Sequence, residues 1–85
     1  MTDTEQIIRS VLAQHGRLNG DAQSIDTGAS LYTAGLTSHA SVNVMLAIED
    51  ELDIEFPEHL LRRSTFESID SLAAAIDSIN DASVA

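Results

Sequence analysis

Ala34-Gly35-Leu36-Thr37-Ser38-His39-Ala40, running straight into Ser41-Val42-Asn43-Val44-Met45-Leu46-Ala47-Ile48-Glu49-Asp50, decides how the chain folds. Gly35 ends a loop. Thr37 is of the residue type whose side-chain oxygen accepts from the free N–H groups of a helix start. Ser38 then falls in the first turn, where backbone donors and the helix dipole favour a negative group. No Pro or Gly interrupts the run from Thr37 to Phe56, so a helix has room to continue past Asp50. A serine hydroxyl at such a helix start, beyond a loop, is a good place to attach a phosphate ester.

The expected helix runs from about Ser38 to about Leu52. Ser41, Val44, Met45, Ile48 and Leu52 recur at helical spacing and form its expected core face. Val42 and Leu46 lie one turn apart on a neighbouring face, grouped with His39, Asn43, Glu49, Asp50 and Asp53. Surplus apolar surface rimmed by charge marks an interaction site; the alternative is that Val42 and Leu46 are buried beneath the preceding loop.

Upstream, Thr2 and Glu5 read as a capping box, with Asp3 favourable in the first turn. Ile7, Ile8, Val11 and Leu12 make one apolar face. A first helix is expected from about Asp3 to about His15, stopped by Gly16, with His15 suited to the negative helix end rather than to ligand binding. Residues 16–36 carry all four glycines and several Asn, Asp, Ser and Thr. A loop of that length is functional or disordered. Leu18, Ile25, Leu31, Tyr32 and Leu36 are apolar anchors at intervals and argue for a packed loop, with a helical turn at Ser30-Leu31-Tyr32.

Downstream, Pro57 disfavours helix in the residue before it. Pro57–Arg63 reads as a short third helix with proline at its first position and Arg62 and Arg63 as a charge pair at its end. Ser64 or Thr65 caps a last helix carrying Phe66, Ile69, Leu72, Ala73, Ile76 and Ile79 on one face and ending near Asn80. Residues 81–85 read as a frayed tail. The expectation is a single all-α domain over residues 1–85: a small bundle of three main helices and one short helix, with a long loop between the first and second.

Composition bounds the function. Eighty-five residues with 44% hydrophobic content suffice for one modest core. There is no cysteine, hence no disulfide, no thiol nucleophile and no Cys-based metal site. Four arginines and no lysine face fourteen acids, for a net charge of -10. Such a chain repels nucleic-acid backbones and should meet basic protein surfaces. Neither a signal peptide nor a membrane-spanning run is seen, so a cytoplasmic setting is expected. Ser38 and His39 are neighbours, but helical neighbours point roughly 100° apart and cannot form a nucleophile–base pair. The histidines at 15, 39 and 59 lack metal-ligand spacing. The acids at 49–55 lack a calcium-loop pattern and read as a solvated face. No catalytic residue is assigned.

The residues Gly35-Leu36-Thr37-Ser38, Val42, Val44 through Leu52, Ile54 and Phe56-Pro57 resemble the acyl carrier protein family, including its peptidyl and aminoacyl relatives. The likeness extends over most of the chain in helix spacing and length. The resemblance implies that Ser38 carries 4'-phosphopantetheine, attached from coenzyme A by a phosphopantetheinyl transferase, and holds cargo as a thioester on the arm's thiol. Where the family usually has Asp-Ser-Leu, this chain has Thr37-Ser38-His39. Thr37 keeps the capping chemistry without the charge, and His39 alters the surface that partners read. The triplet in a free-standing chain is similar to the small carriers loaded with amino acids by truncated relatives of seryl-tRNA synthetase. On that basis the expected cargo is aminoacyl, with a fatty or polyketide acyl chain as the alternative and a non-prosthetic helical adaptor as the rival class. The implied partners are the transferase, an amino acid:carrier protein ligase or other acyl-loading enzyme, and a downstream acceptor enzyme. His39, Val42, Leu46, Glu49 and Asp50 are the expected docking residues.

Overall fold

The computed structural model describes residues 3–16 and 18–84, with side chains over 4–16 and 18–80. Three helices make the frame: α1 (Asp3–Val11), α2 (Ser38–Leu52) and α3 (Ile69–Val84). No strand occurs among the described residues. The expected capping box at Thr2 lies outside them. α1 packs against both other helices, and each gives its apolar face to one core. Ile8, Leu12, Leu31, Val44, Ile48, Ile69, Leu72 and Ile76 are buried almost completely. The core is aliphatic, closed at one end by the Phe56 and Phe66 rings, whose centroids are 5.9 Å apart.

α1 gives way at Leu12 to a wider π-helical turn, Leu12–Gly16, so the expected stop at Gly16 holds although the last turn is not α. A Cβ at Gly16 would lie 3.2 Å from Leu12 Cδ2, and glycine allows that close approach. His15 is exposed in this turn.

The long loop is packed, as its anchors imply. Leu31 and Leu36 are buried, while Leu18, Ile25 and Tyr32 lie partly buried against the core. Ala22 joins them, a residue too small to signal burial in the sequence. Residues 30–36 form a helical turn: Ala34 N–H donates to Ser30 O (3.2 Å) and Leu36 N–H to Leu31 O (2.9 Å). The loop closes on itself, since Asn19 N–H donates to Ala34 O at 2.8 Å. Gly35 completes that closure with φ of 116°. An added Cβ there would sit 3.2 Å from the Asn19 backbone nitrogen, so both conformation and space require glycine. The loop is tied to the approach to α3 by Leu31 N–H to Glu67 O (2.6 Å) and Asp70 N–H to Thr27 O (3.0 Å).

α2 has the expected bounds, but its core face is turned slightly. Ala40, Val44 and Ile48 are the buried positions. Met45 and Leu52 pack partly against the core. Ser41 is not a core residue; its hydroxyl donates to Ser38 O at 2.7 Å. The helix ends at Asp53, in left-handed geometry (φ 55°, ψ 50°), whose N–H donates to Glu49 O. Aspartate tolerates that conformation better than most side chains.

The region after Pro57 departs from expectation. In place of one helix through Arg63 there are two 3₁₀ turns, Glu58–Leu60 and Arg63–Phe66. Pro57 precedes the first turn in extended conformation (φ -69°, ψ 158°) instead of occupying its first position. Arg62 and Arg63 therefore do not close a helix; they flank the start of the second turn. α3 is capped neither by Ser64 nor by Thr65. Ser68 does so, its hydroxyl accepting from Ser71 N–H at 3.0 Å. Thr65 and Phe66 belong to the preceding turn, where both are buried. α3 extends to Val84, past the expected end near Asn80.

Arg9 joins α1 to the loop. Its Nη1 lies 2.9, 3.1 and 2.8 Å from the carbonyl oxygens of Ala22, Gln23 and Ile25, and its Nε donates to Glu5 at 3.0 Å. The side chain is only 11% exposed. Hydrogen bonds from a charged donor contribute more than neutral ones, so Arg9→Ala is expected to cost about 2–3 kcal/mol. Arg9→Lys should recover only part of this, because a point charge cannot reproduce the planar fork. Chemical denaturation of the three proteins, with amide exchange at residues 22–25, measures it; equal midpoints would show that Arg9 does not hold the loop.

Candidate functional site

Thr37 sets the site. Its backbone is extended (φ -98°, ψ 166°) and its hydroxyl accepts from Ala40 N–H at 3.0 Å. Ser41 N–H donates to Thr37 O at 2.9 Å, beginning the helical ladder. Ser38 is the first residue of α2 and is exposed. Because Thr37 carries the cap, the Ser38 hydroxyl is not needed for it and no hydrogen bond engages it among the described residues. The first turn of α2 contains no acid, so nothing there competes with an incoming anion for the positive helix end.

Ser38 opens onto a groove of about 450 Å³ between α2 and the 61–66 segment. Val42, Met45, Leu61 and Phe66 make its apolar walls, and Tyr32, Arg62 and Arg63 its polar edge. The Arg63 guanidinium stacks over the Tyr32 ring, 3.9 Å from the centroid. The Tyr32 hydroxyl donates to Arg63 O at 2.9 Å. Burial lifts the Tyr32 phenol above its usual value; Glu67 adds to the rise and Arg63 opposes it.

The other expected site residues separate onto different surfaces. His39 is exposed on the first turn. Val42 and Leu46 are half exposed, at 50% and 52%, so neither is buried beneath the loop. One turn apart on the same exposed strip, they look into different grooves: Val42 borders the groove beside Ser38, whereas Leu46 borders a second groove of about 670 Å³ toward α1, with Asn43, Asp50 and Glu51. Asp50 is exposed. Glu49 is half-buried and engaged within the fold, its carboxylate accepting from Phe56 N–H at 2.8 Å. Tyr32, Leu61, Arg62 and Arg63 are additions to the site. Tyr32 comes from the loop turn just before Thr37, while Leu61, Arg62 and Arg63 arrive from a segment far from Ser38 in sequence, whose one signal was a pair of adjacent cations in so acidic a chain.

Among the described residues no group of three His, Asp or Glu is placed to hold a metal ion. No described helix is long and apolar enough to cross a membrane. An exposed, unengaged serine hydroxyl on a capped helix start, at the mouth of a mostly apolar groove, suits an acceptor of a group made by other proteins.

Residues 5–76 match the family model described as "Phosphopantetheine attachment site". The chain belongs to this family of phosphopantetheine-bearing carrier proteins. It is 46% identical, over 74 residues, to an aminoacyl carrier protein of Agrobacterium fabrum, the match covering 87% of this chain and 89% of the relative. Its fold is similar to a chain in the crystal structure of an engineered Bradyrhizobium japonicum glycine:[carrier protein] ligase complexed with carrier protein from Agrobacterium tumefaciens and ATP. That match has a TM-score of 0.86 and 43% identity, over 89% of this chain and 99% of that one. It is also similar to a chain in the structure of the Bradyrhizobium japonicum ligase complexed with glycylated carrier protein, with a TM-score of 0.74 and 30% identity over 87% and 99% of the two chains. The family's prosthetic group is 4'-phosphopantetheine, and the site fits it: the hydroxyl, the free helix end and the groove offer an ester oxygen, a place for a phosphate and room for a stem.

Thr37→Ala is expected to lower stability by about 1 kcal/mol, the usual cost of a lost N-cap. Thr37→Asp should keep the cap and add a favourable charge at the helix start. Thermal unfolding of both variants checks this. An aspartate variant as unstable as the alanine one would remove Thr37 from the capping role.

Proposed function

We propose that Ser38 is the attachment point of the phosphopantetheine arm and that the cargo is an aminoacyl group. The observation that carries this is the exposed, unbonded Ser38 hydroxyl at the Thr37-capped start of α2. The aminoacyl assignment is supported by the likeness to an aminoacyl carrier protein and to carriers seen with a glycine-specific ligase. When bound, the arm supplies the terminal thiol that this cysteine-free chain lacks, on which cargo is held as a thioester. The chain's own residues do no covalent chemistry. Thr37 fixes the helix start, Gly35 and the loop closure set the approach to it, and the apolar groove gives the stem a dry wall. The reactions belong to partners: a phosphopantetheinyl transferase, an amino acid:carrier protein ligase, and an acceptor enzyme, all in the cytoplasm.

The docking surface we propose comprises His39, Val42, Leu46, Glu49 and Asp50. His39 and Val42 lie within a turn of the serine, and Leu46 and Asp50 follow along α2. With a net charge of -10, the chain attracts basic partners over distance. Glu49 contributes charge while holding Phe56, so replacing it would disturb the fold as well as the field.

Intact mass tests the attachment. Incubated with coenzyme A and a phosphopantetheinyl transferase, the protein should gain one arm, and Ser38→Ala should fold normally and gain none. Modification of the alanine variant, or of Ser41, would move the site. No gain at all would leave a helical adaptor. Charging the holo protein in extract and weighing the adduct separates an amino acid from a fatty or polyketide chain.

Docking separates by kinetics. Val42→Asp or Leu46→Asp is expected to raise Kd for the charging enzyme by roughly tenfold or more, mainly through faster dissociation, because an uncompensated charge would be desolvated. Asp50→Lys should mainly slow association, with the slowing shrinking at high salt. Association rates independent of salt, and unchanged by Asp50→Lys, would rule out acidic steering.

A further inference from the structure

We propose that Arg63 and Arg62 form a cationic seat for the phosphodiester of the arm, with Tyr32 holding the Arg63 guanidinium in place. The seat would fold the pantetheine stem back into the groove lined by Val42, Met45 and Leu61. This rests on Ser38 being the attachment point.

The charge distribution is the first reason. The chain has four cations against fourteen acids. Arg9 is spent inside the fold, on Glu5 and three loop carbonyls. Arg62 and Arg63 are adjacent and exposed, and they line the same groove as Ser38. Among the described residues the one ion pair is Arg9–Glu5, so neither of these arginines is neutralised by a carboxylate at bonding distance. Two like charges side by side in an acidic protein, with Glu67 near enough to bear on Tyr32 but at bonding distance from neither arginine, suit an anion delivered to that groove. A phosphodiester on Ser38 would be a permanent anion at the mouth of the groove.

Geometry is the second reason. A guanidinium is a planar fork of donors that matches two phosphate oxygens, and it loses least entropy when already oriented. Tyr32 orients it: the Arg63 Cζ lies over the ring, 3.9 Å from its centroid, and the Tyr32 hydroxyl donates to the Arg63 carbonyl oxygen at 2.9 Å. Arg62 is steadied by its Nε bond to His59 O at 3.0 Å, which leaves its terminal nitrogens available. The free N–H groups at the start of α2 add a positive field at the Ser38 end of the same groove. Tyr32 also belongs to the loop turn that leads to Thr37, so the seat and the serine are built on connected backbone. Below the polar edge, the apolar walls suit the branched hydrocarbon of pantetheine.

The consequence is a carrier whose arm is held in the groove at low salt and released when a partner competes for the arginines or the groove. The test uses intact apo and holo protein, each verified by mass, with labelled arginine side chains and the ring of Tyr32. That ring is assigned without ambiguity, because it is the chain's single tyrosine. Attachment is expected to shift the Nε–Hε signals of Arg62 and Arg63 and the Tyr32 ring signals, leaving those of Arg9 in place. The pantetheine methyl protons should show contacts to Val42 and Leu61 that weaken as salt is raised. The Arg62→Gln/Arg63→Gln double variant should still gain the arm and still fold, yet lose both the shifts and the contacts. A holo protein with unmoved arginine signals and no methyl contacts overturns the seat while leaving the carrier function standing. Contacts retained in the double variant also overturn it, by showing that the apolar walls alone hold the stem. Failure of Ser38 to gain any mass removes the seat together with the attachment point.

Discussion

A loop with no regular hydrogen-bond ladder must find partners for its backbone elsewhere, and the segment between Gly16 and Ser38 finds many of them through Arg9. Loop carbonyls near a core lose water and need donors. One guanidinium on α1 meets three of them within 3.1 Å. With residues 22–25 held there, Ala22 and Ile25 reach the core. The next stretch can then pair Thr27 and Leu31 with the approach to α3. Leu31 and Leu36, both buried, bring the chain to Thr37 in the extended conformation that a cap demands. The position of Ser38 is thus set by contacts that begin on the first helix, far from it in sequence.

Charge has been placed with equal economy. A net charge of -10 on so small a chain repels itself. The fold tolerates it by leaving acids such as Glu51, Asp53 and Glu55 in water, where screening is strong. The acid drawn inward, Glu49, is satisfied by the Phe56 N–H beyond the end of α2. The cations described by the structure do not dilute the acidic face of α2. One is internal and two sit across the groove, away from Asp50 and Glu51 on the other flank of α2.

Much of this was legible in the sequence where local rules govern. The Gly35-Leu36-Thr37-Ser38 punctuation located the start of α2, and the apolar period through Val44 and Ile48 located its buried side. The loop anchors were read correctly because large apolar residues at intervals have nowhere else to go. What escaped depended on distance along the chain or on near-equivalent signals. Nothing local distinguishes Arg9 from a solvated helix residue. Ser64, Thr65 and Ser68 are all acceptable caps, and the choice fell to Ser68 because Phe66 is needed against Phe56, which puts the two residues before it into a 3₁₀ turn. Ala22 and Ala40 carry too little apolar surface to announce burial, yet close packing needs small residues where backbone approaches core. The groove beside Ser38 is assembled from α2, the loop turn and the 61–66 segment, so no single window of sequence contains it.

The division of α2 into two grooves bears on how a small carrier meets several proteins in succession. A partner must reach Ser38, which stands at one end of the helix, but it need not cover the whole helix to do so. Val42 faces the groove with Tyr32 and the arginines, and Leu46 faces the groove toward α1 with Asp50 and Glu51. The two surfaces differ in charge sign as well as direction. The second carries acids that suit a basic surface, while the first has cations and apolar walls beside Ser38. Contact with the acids and occupation of the cationic groove would therefore fall on different flanks of one helix, with Val42 and Leu46 adjacent on the strip between them. Neither requires the core to open, because Ala40, Val44 and Ile48, which hold α2 in the bundle, contribute to neither groove.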